Sequence, residues 1–116
     1  MDILVRRAGP ADIEALLPLV RAYRVFYEQP PDDMGERRFI HKHLRDDSSA
    51  IFFALCEERV VGFIQLFESW STVRLAPVLI LEDLFVDEAF RERGIARQLI
   101  DAALVFAREE IGRAHV

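Results

Sequence analysis

Apolar residues along this chain follow two rhythms, one near the 3.6-residue helical period and one of alternation or unbroken runs that suits strands. Residues 3–7 read as a first strand, and Gly9-Pro10 breaks it. Asp12 then stands near the start of a helix expected to run to about Glu28, in which Leu16, Val20, Tyr23 and Tyr27 recur as a core-facing stripe. Pro30-Pro31 ends that helix, because proline cannot donate to the helical ladder. Residues 34–45 predict a second helix with Phe39 over His43 and Ile40 over Leu44 at i, i+4. Residues 50–57 and 60–68, rich in β-branched and aromatic side chains, predict a hairpin turning at Glu58-Arg59, and Gly62 inside it marks a bulge or a close approach. Residues 70–74 link the hairpin to a long apolar strand over 76–86. Beyond Gly94, the spacing of Ile95, Leu99, Ala102, Ala103 and Phe106 predicts a last helix to about Glu110. The order βααβββα indicates an α+β fold whose sheet is mixed in direction and covered by helices.

The junction between the long strand and the last helix carries candidate chemistry. Arg91-x-x-Gly94-x-Ala96 opens the helix, and a helix N-terminus offers unpaired N–H groups and partial positive charge to an anion. Gly94 and Ala96 keep the approach free of bulk, while Arg91, Arg93 and Arg97 add charge; a diphosphate fits such a turn. The plainer alternative is an ordinary strand-to-helix connection with solvated arginines. Glu82 and Asp83 interrupt the apolar strand just upstream. A carboxylate whose pKa is raised by partial burial suits removal of a proton from an amine near neutral pH. Successive strand residues face opposite sides, so the two are not expected to share one role, and Glu82 should share its face with Leu84.

The stretch LEDLFVDEAFRERGIARQLI resembles the acyl-CoA-binding motif of the GNAT superfamily of N-acetyltransferases, and the resemblance extends from Ile3 to about Glu110. LEDLFV and the Tyr-Arg-x-Phe-Tyr stretch at Tyr23 to Tyr27 are most similar to diamine and polyamine acetyltransferases and their small bacterial relatives. The resemblance implies acetyl-CoA as acyl donor and a primary amine, of a polyamine-like small molecule or a peptide, as acceptor. It implies that the backbone of Leu84, Phe85 and Val86 pairs with the pantetheine arm. It also implies that Arg91 and the amides of Glu92, Arg93, Gly94, Ile95, Ala96 and Arg97 hold the diphosphate. Glu82 is the first candidate for the catalytic base and Asp83 the second, and Phe26 or Tyr27 is the candidate lining of the acceptor pocket.

Two departures accompany the resemblance. The family's usual late tyrosine acid has no counterpart, since the only tyrosines, Tyr23 and Tyr27, lie on the first helix. GNAT domains also continue past this helix with a further strand, helix and strand pair, so residues 1–116 are expected to form a single incomplete domain. The tail IGRAHV matches an in-frame translation of a widely used sequencing adapter, so the parent reading frame is expected to continue; a naturally shortened or strand-exchanged protein is the alternative. An open fourth strand would invite pairing with a second chain, which makes a homodimer one expectation. A non-catalytic acyl-CoA-binding or interaction module is the alternative to an enzyme.

Composition narrows the remaining classes. At 116 residues and 52% hydrophobic, the chain suits one compact unit. A net charge of −5 argues against a nucleic-acid partner, which would demand a basic face, and mildly favours a cationic one. Three glycines after a first strand, or Gly-Lys-Ser/Thr, would signal a dinucleotide domain or a P-loop, and neither occurs. The single cysteine, Cys56, sits in a strand and reads as packing. His41 and His43, two apart on a helix, point to different sides and are not expected to bind metal. With neither a secretory signal nor a membrane-length apolar run, a cytoplasmic location away from membranes is the expectation.

Overall fold

The computed structural model describes residues 2–111, apart from the side chain of Ile111. Its elements follow the expected order: β1 (Leu4–Arg7), α1 (Ile13–Phe26), α2 (Asp33–Arg45), β2 (Ser49–Cys56), β3 (Arg59–Ser71), β4 (Ala76–Val86) and α3 (Ile95–Ile111). A single helical turn at Pro10–Asp12 precedes α1, and another at Glu88–Phe90 separates β4 from α3. The α+β class stands. The strands lie in the order β1-β2-β3-β4, and every pairing among the described strands is antiparallel rather than mixed. Tight hairpins join β2 to β3 and β3 to β4, and a chain that reverses through a few residues can pair only antiparallel. The expectations for residues 112–116 lie outside the described residues.

Two helical layers sandwich the sheet. Leu16, Leu17, Leu19 and Val20 of α1 and Ile40 of α2 pack on Ile51, Phe53, Phe63 and Phe85. Ile95, Leu99, Ala103 and Ala107 of α3 pack on Phe52, Val61, Ile64, Leu66 and Leu79 on the opposite face. Small alanines on the inner stripe of α3 let it lie close to the strands.

Details of the hairpins differ from the sequence reading. The β2–β3 turn is Glu57-Glu58 rather than Glu58-Arg59; both residues have positive φ, 49° and 69°, which matches the twist of a two-residue hairpin turn. Trp70 and Ser71, expected in the link, belong to β3, because its ladder with β4 runs out to Ser71 opposite Ala76. Gly62 answers both of its expectations. The register slips beside it, leaving Val61 without a partner on β2, and a Cβ there would lie 3.2 Å from Leu99 Cδ1 and 3.3 Å from Ile95 Cγ2.

Candidate active site

The end of β4, the turn after it and the start of α3 enclose a cleft of about 380 Å³ lined by Leu84, Val86, Phe90, Gly94, Ile95 and Ala96, with Arg91 and Glu92 at its edge. Asp87 builds the turn. Its carboxylate accepts from the Ala89 amide and from Arg59 at 2.9 Å. Gly94 has a φ of +79°, and a Cβ there would meet nothing within 4 Å, so glycine serves the backbone conformation and leaves the approach open. Glu92 is also left-handed, at 61°. Gln98 N–H bonds Gly94 O at 3.1 Å, which starts the α3 ladder and leaves the amides of Ile95, Ala96 and Arg97 ahead of it. Arg91 braces this turn: its Nε donates to Val86 O at 2.9 Å, and its guanidinium lies over the Phe26 and Phe85 rings.

A bulge in β4 sets the carboxylates. Gln65 faces Asp83 and Leu66 faces Leu81, so Glu82 has no partner across the ladder. Leu79, Leu81, Leu84 and Val86 all pack in the α3 layer, which the extra residue makes possible by resetting the alternation. The expected strict alternation at Glu82-Asp83 therefore fails here. Glu82 is exposed, so the partial burial expected of it applies to Asp83 alone. Asp83 is half-buried and accepts a hydrogen bond from Tyr23 Oη at 2.9 Å. Burial and that carboxylate push the Tyr23 hydroxyl above its ordinary range, keeping it a donor.

On the α1–α2 side of the sheet lies a second cavity of about 340 Å³, with an apolar wall of Val20, Phe39, Ile40 and Phe63 and a polar floor that includes Gln65 and Asp83. Glu36 also borders it. That carboxylate is only 5% exposed and accepts from Arg21 Nε at 2.9 Å and from Arg24 at 2.6 Å. Burial pushes the Glu36 carboxyl up, but the two guanidinium bonds outweigh it and hold the group below its usual range. Adjacent residues thus serve two sites: Asp83 borders the cavity and Leu84 the cleft.

The acetyltransferase (GNAT) family pattern matches residues 15–116. The chain belongs to this family. It is 35% identical over 103 residues to the uncharacterized N-acetyltransferase YhfO of Bacillus subtilis strain 168, covering 89% of this chain and 69% of that protein. A probable acetyltransferase of Haemophilus influenzae strain KW20 is 35% identical over 101 residues, covering 86% of this chain and 69% of the relative. The crystal structure of a probable acetyltransferase superposes with a TM-score of 0.84 at 36% identity, covering all of this chain and 78% of the other. This is the enzyme family that the strand-turn-helix motif resembles.

Within this GNAT chain the expected cofactor residues separate into two groups. Leu84, Val86, Arg91, Glu92, Gly94, Ile95 and Ala96 come together at the cleft. Phe85 turns its side chain into the α1 layer and its carbonyl toward β3, so only Leu84 and Val86 present backbone groups at the open strand edge. Arg97 pairs with Asp101 one turn along α3, and Arg93 lies over the Phe90 ring. The Val86 carbonyl, expected to meet pantetheine, already accepts from Arg91 and keeps one lone pair. Phe26 and Tyr27 are both largely exposed; Tyr27 borders a shallow hollow with Tyr23, Arg24, Gln29 and Asp83, while Phe26 sits under Arg91. Tyr23, read as packing, does pack against Phe63 and Phe85, and its hydroxyl also reaches Asp83. Sequence reasoning missed Arg24, Glu36 and Gln65; a polar residue inside the apolar run of β3 was the one local sign of the last. Among the described residues no cluster of His, Cys, Asp and Glu suits a metal, and no helix is long and apolar enough to cross a membrane.

Proposed function

We propose that this chain transfers an acetyl group from acetyl-CoA to a primary amine of a small molecule or peptide. The observation that carries the reading is the Asp83-Leu84 step, which sets a half-buried carboxylate on one cavity beside the strand end that lines the other. The open turn at Gly94 and the apolar, small-residue lining of the cleft suit a diphosphate with a slender arm. Leu84 and Val86 would meet that arm through backbone, Phe85 being turned to β3, and the amides of residues 92–97 the diphosphate. Acetyl-CoA supplies the activated acetyl thioester. An ammonium cannot attack it, so a base must first take a proton.

Asp83 suits that role better than Glu82. Tyr23 occupies Oδ1 of Asp83 and orients the carboxylate, leaving Oδ2 for the amine. Glu82, exposed at the bulge, can serve only through solvent. Calorimetric titration of acetyl-CoA and desulfo-CoA, followed by acetyl-transfer assays on a panel of amines, tests the proposal. Asp83→Asn is expected to lower kcat about 100-fold, within the range for a lost general base, with acetyl-CoA affinity unchanged; Glu82→Gln is expected to lose less. The reverse ranking would move the base to Glu82. Binding without transfer to any amine would leave a non-catalytic acyl-CoA-binding module, and no binding would end the proposal.

A further inference from the structure

Gln65 is 2% exposed and borders the cavity between the sheet and α1–α2, yet its Nε2 is buried without a hydrogen-bond partner. Buried donors in folded proteins are almost always paired, so an orphan that borders a cavity points to a partner from outside the chain. None of the nearby acceptors takes it. Asp83, directly opposite Gln65 in the β3–β4 register, takes the Tyr23 hydroxyl, and both oxygens of Glu36 hold guanidiniums. Cross-strand neighbours lie about 5 Å apart at Cβ, so one small ligand can touch both Gln65 and Asp83.

Resting on the acceptor-cavity reading above, we propose that Gln65 determines acceptor specificity: its Nε2 donates to an oxygen of the acceptor, a short spacer from the amine that Asp83 receives. The substrate class is an amino alcohol or amino amide with an apolar body. An alkane diamine fits poorly, because its second ammonium offers only donors to a donor, and the other deep carboxylate, Glu36, is already neutralised by Arg21 and Arg24.

The test compares 3-amino-1-propanol, β-alaninamide, 1,3-diaminopropane and butylamine on the wild type, Gln65→Met and Gln65→Glu. Affinity is measured by NMR titration in the presence of desulfo-CoA, and kcat/KM in the presence of acetyl-CoA. The wild type is expected to favour the oxygen-bearing amines over butylamine about tenfold in Kd, the range of one hydrogen bond. Gln65→Met is expected to abolish that preference with unchanged desulfo-CoA affinity, and Gln65→Glu to turn it toward the diamine. Since Gln65→Met removes an orphan donor, its Tm is expected to equal or exceed that of the wild type, which a purely structural glutamine would not allow. The proposal is overturned if the Kd ratio is the same in Gln65→Met, if no amine binds, or if the wild type prefers the diamine, which would mean that the amide turns its carbonyl to the cavity. A Gln65-dependent Kd ratio without acetyl transfer upholds the site and defeats only the catalytic reading.

Discussion

At the residue scale, backbone conformation is the constraint at the turn before α3. Gly94 has ample room for a side chain, so Gly94→Ala isolates the cost of a left-handed backbone, expected at about 1 kcal/mol of stability by denaturant titration. The larger effect should appear in acetyl-CoA affinity, because a turn relaxed away from φ +79° reorients the amides ahead of α3. A glycine needed only for space would give the opposite pattern, with no stability cost at so open a position. The same scale explains the carboxylates. Two adjacent acidic residues differ in burial because one sits at a bulge and the other lies under Tyr23.

At the element scale, β3 and α3 are held together by the absence of a side chain. A methyl at position 62 would press on Leu99, Ile95 and, at 3.4 Å, the Phe85 carbonyl. Gly62→Ala is therefore expected to cost about 1–3 kcal/mol of stability, read from denaturant midpoints. It should also weaken acetyl-CoA binding, because Ile95 is the first residue of α3 and any retreat of the helix carries the turn with it. Arg91 ties a third element to this junction. With a hydrogen bond to β4 and aromatic contacts to α1, Arg91→Met is expected to cost about 1 kcal/mol. Raised B-factors or faster amide exchange at the C-terminal end of α1 would report the lost brace.

At the scale of the whole molecule, Arg21 and Arg24 of α1 join α2 through the buried Glu36. Because the folded-state pKa of Glu36 lies below its ordinary 4.5, the group stabilises the fold above that pH and loses the contribution as pH falls through it. Glu36→Gln is expected to lower stability by about 2 kcal/mol at neutral pH and to flatten the fall in Tm as pH drops below about 4.5. An equally steep fall in the variant would place the acid sensitivity elsewhere, with the Arg6–Asp12 pair as the next candidate.

Element order, the two helical stripes and the strand-turn-helix motif around Gly94 were legible along the chain, because periodicity and turn chemistry depend on neighbours a few positions apart. The exact hairpin turn was not, since Glu57 and Glu58 carry no mark of the positive φ that strand twist imposes on them. Nor was the site. Tyr23 and Asp83 are sixty residues apart, and only the packing of α1 across the sheet brings hydroxyl to carboxylate. Likewise, the bulge that leaves Glu82 unmatched is a property of the register between two strands, to which neither strand's own pattern is sensitive. The residues alone thus determined the layers and the turn around Gly94. Tertiary pairing decided which carboxylate borders the cavity between the sheet and α1–α2 and which buried amide is left unpaired beside it.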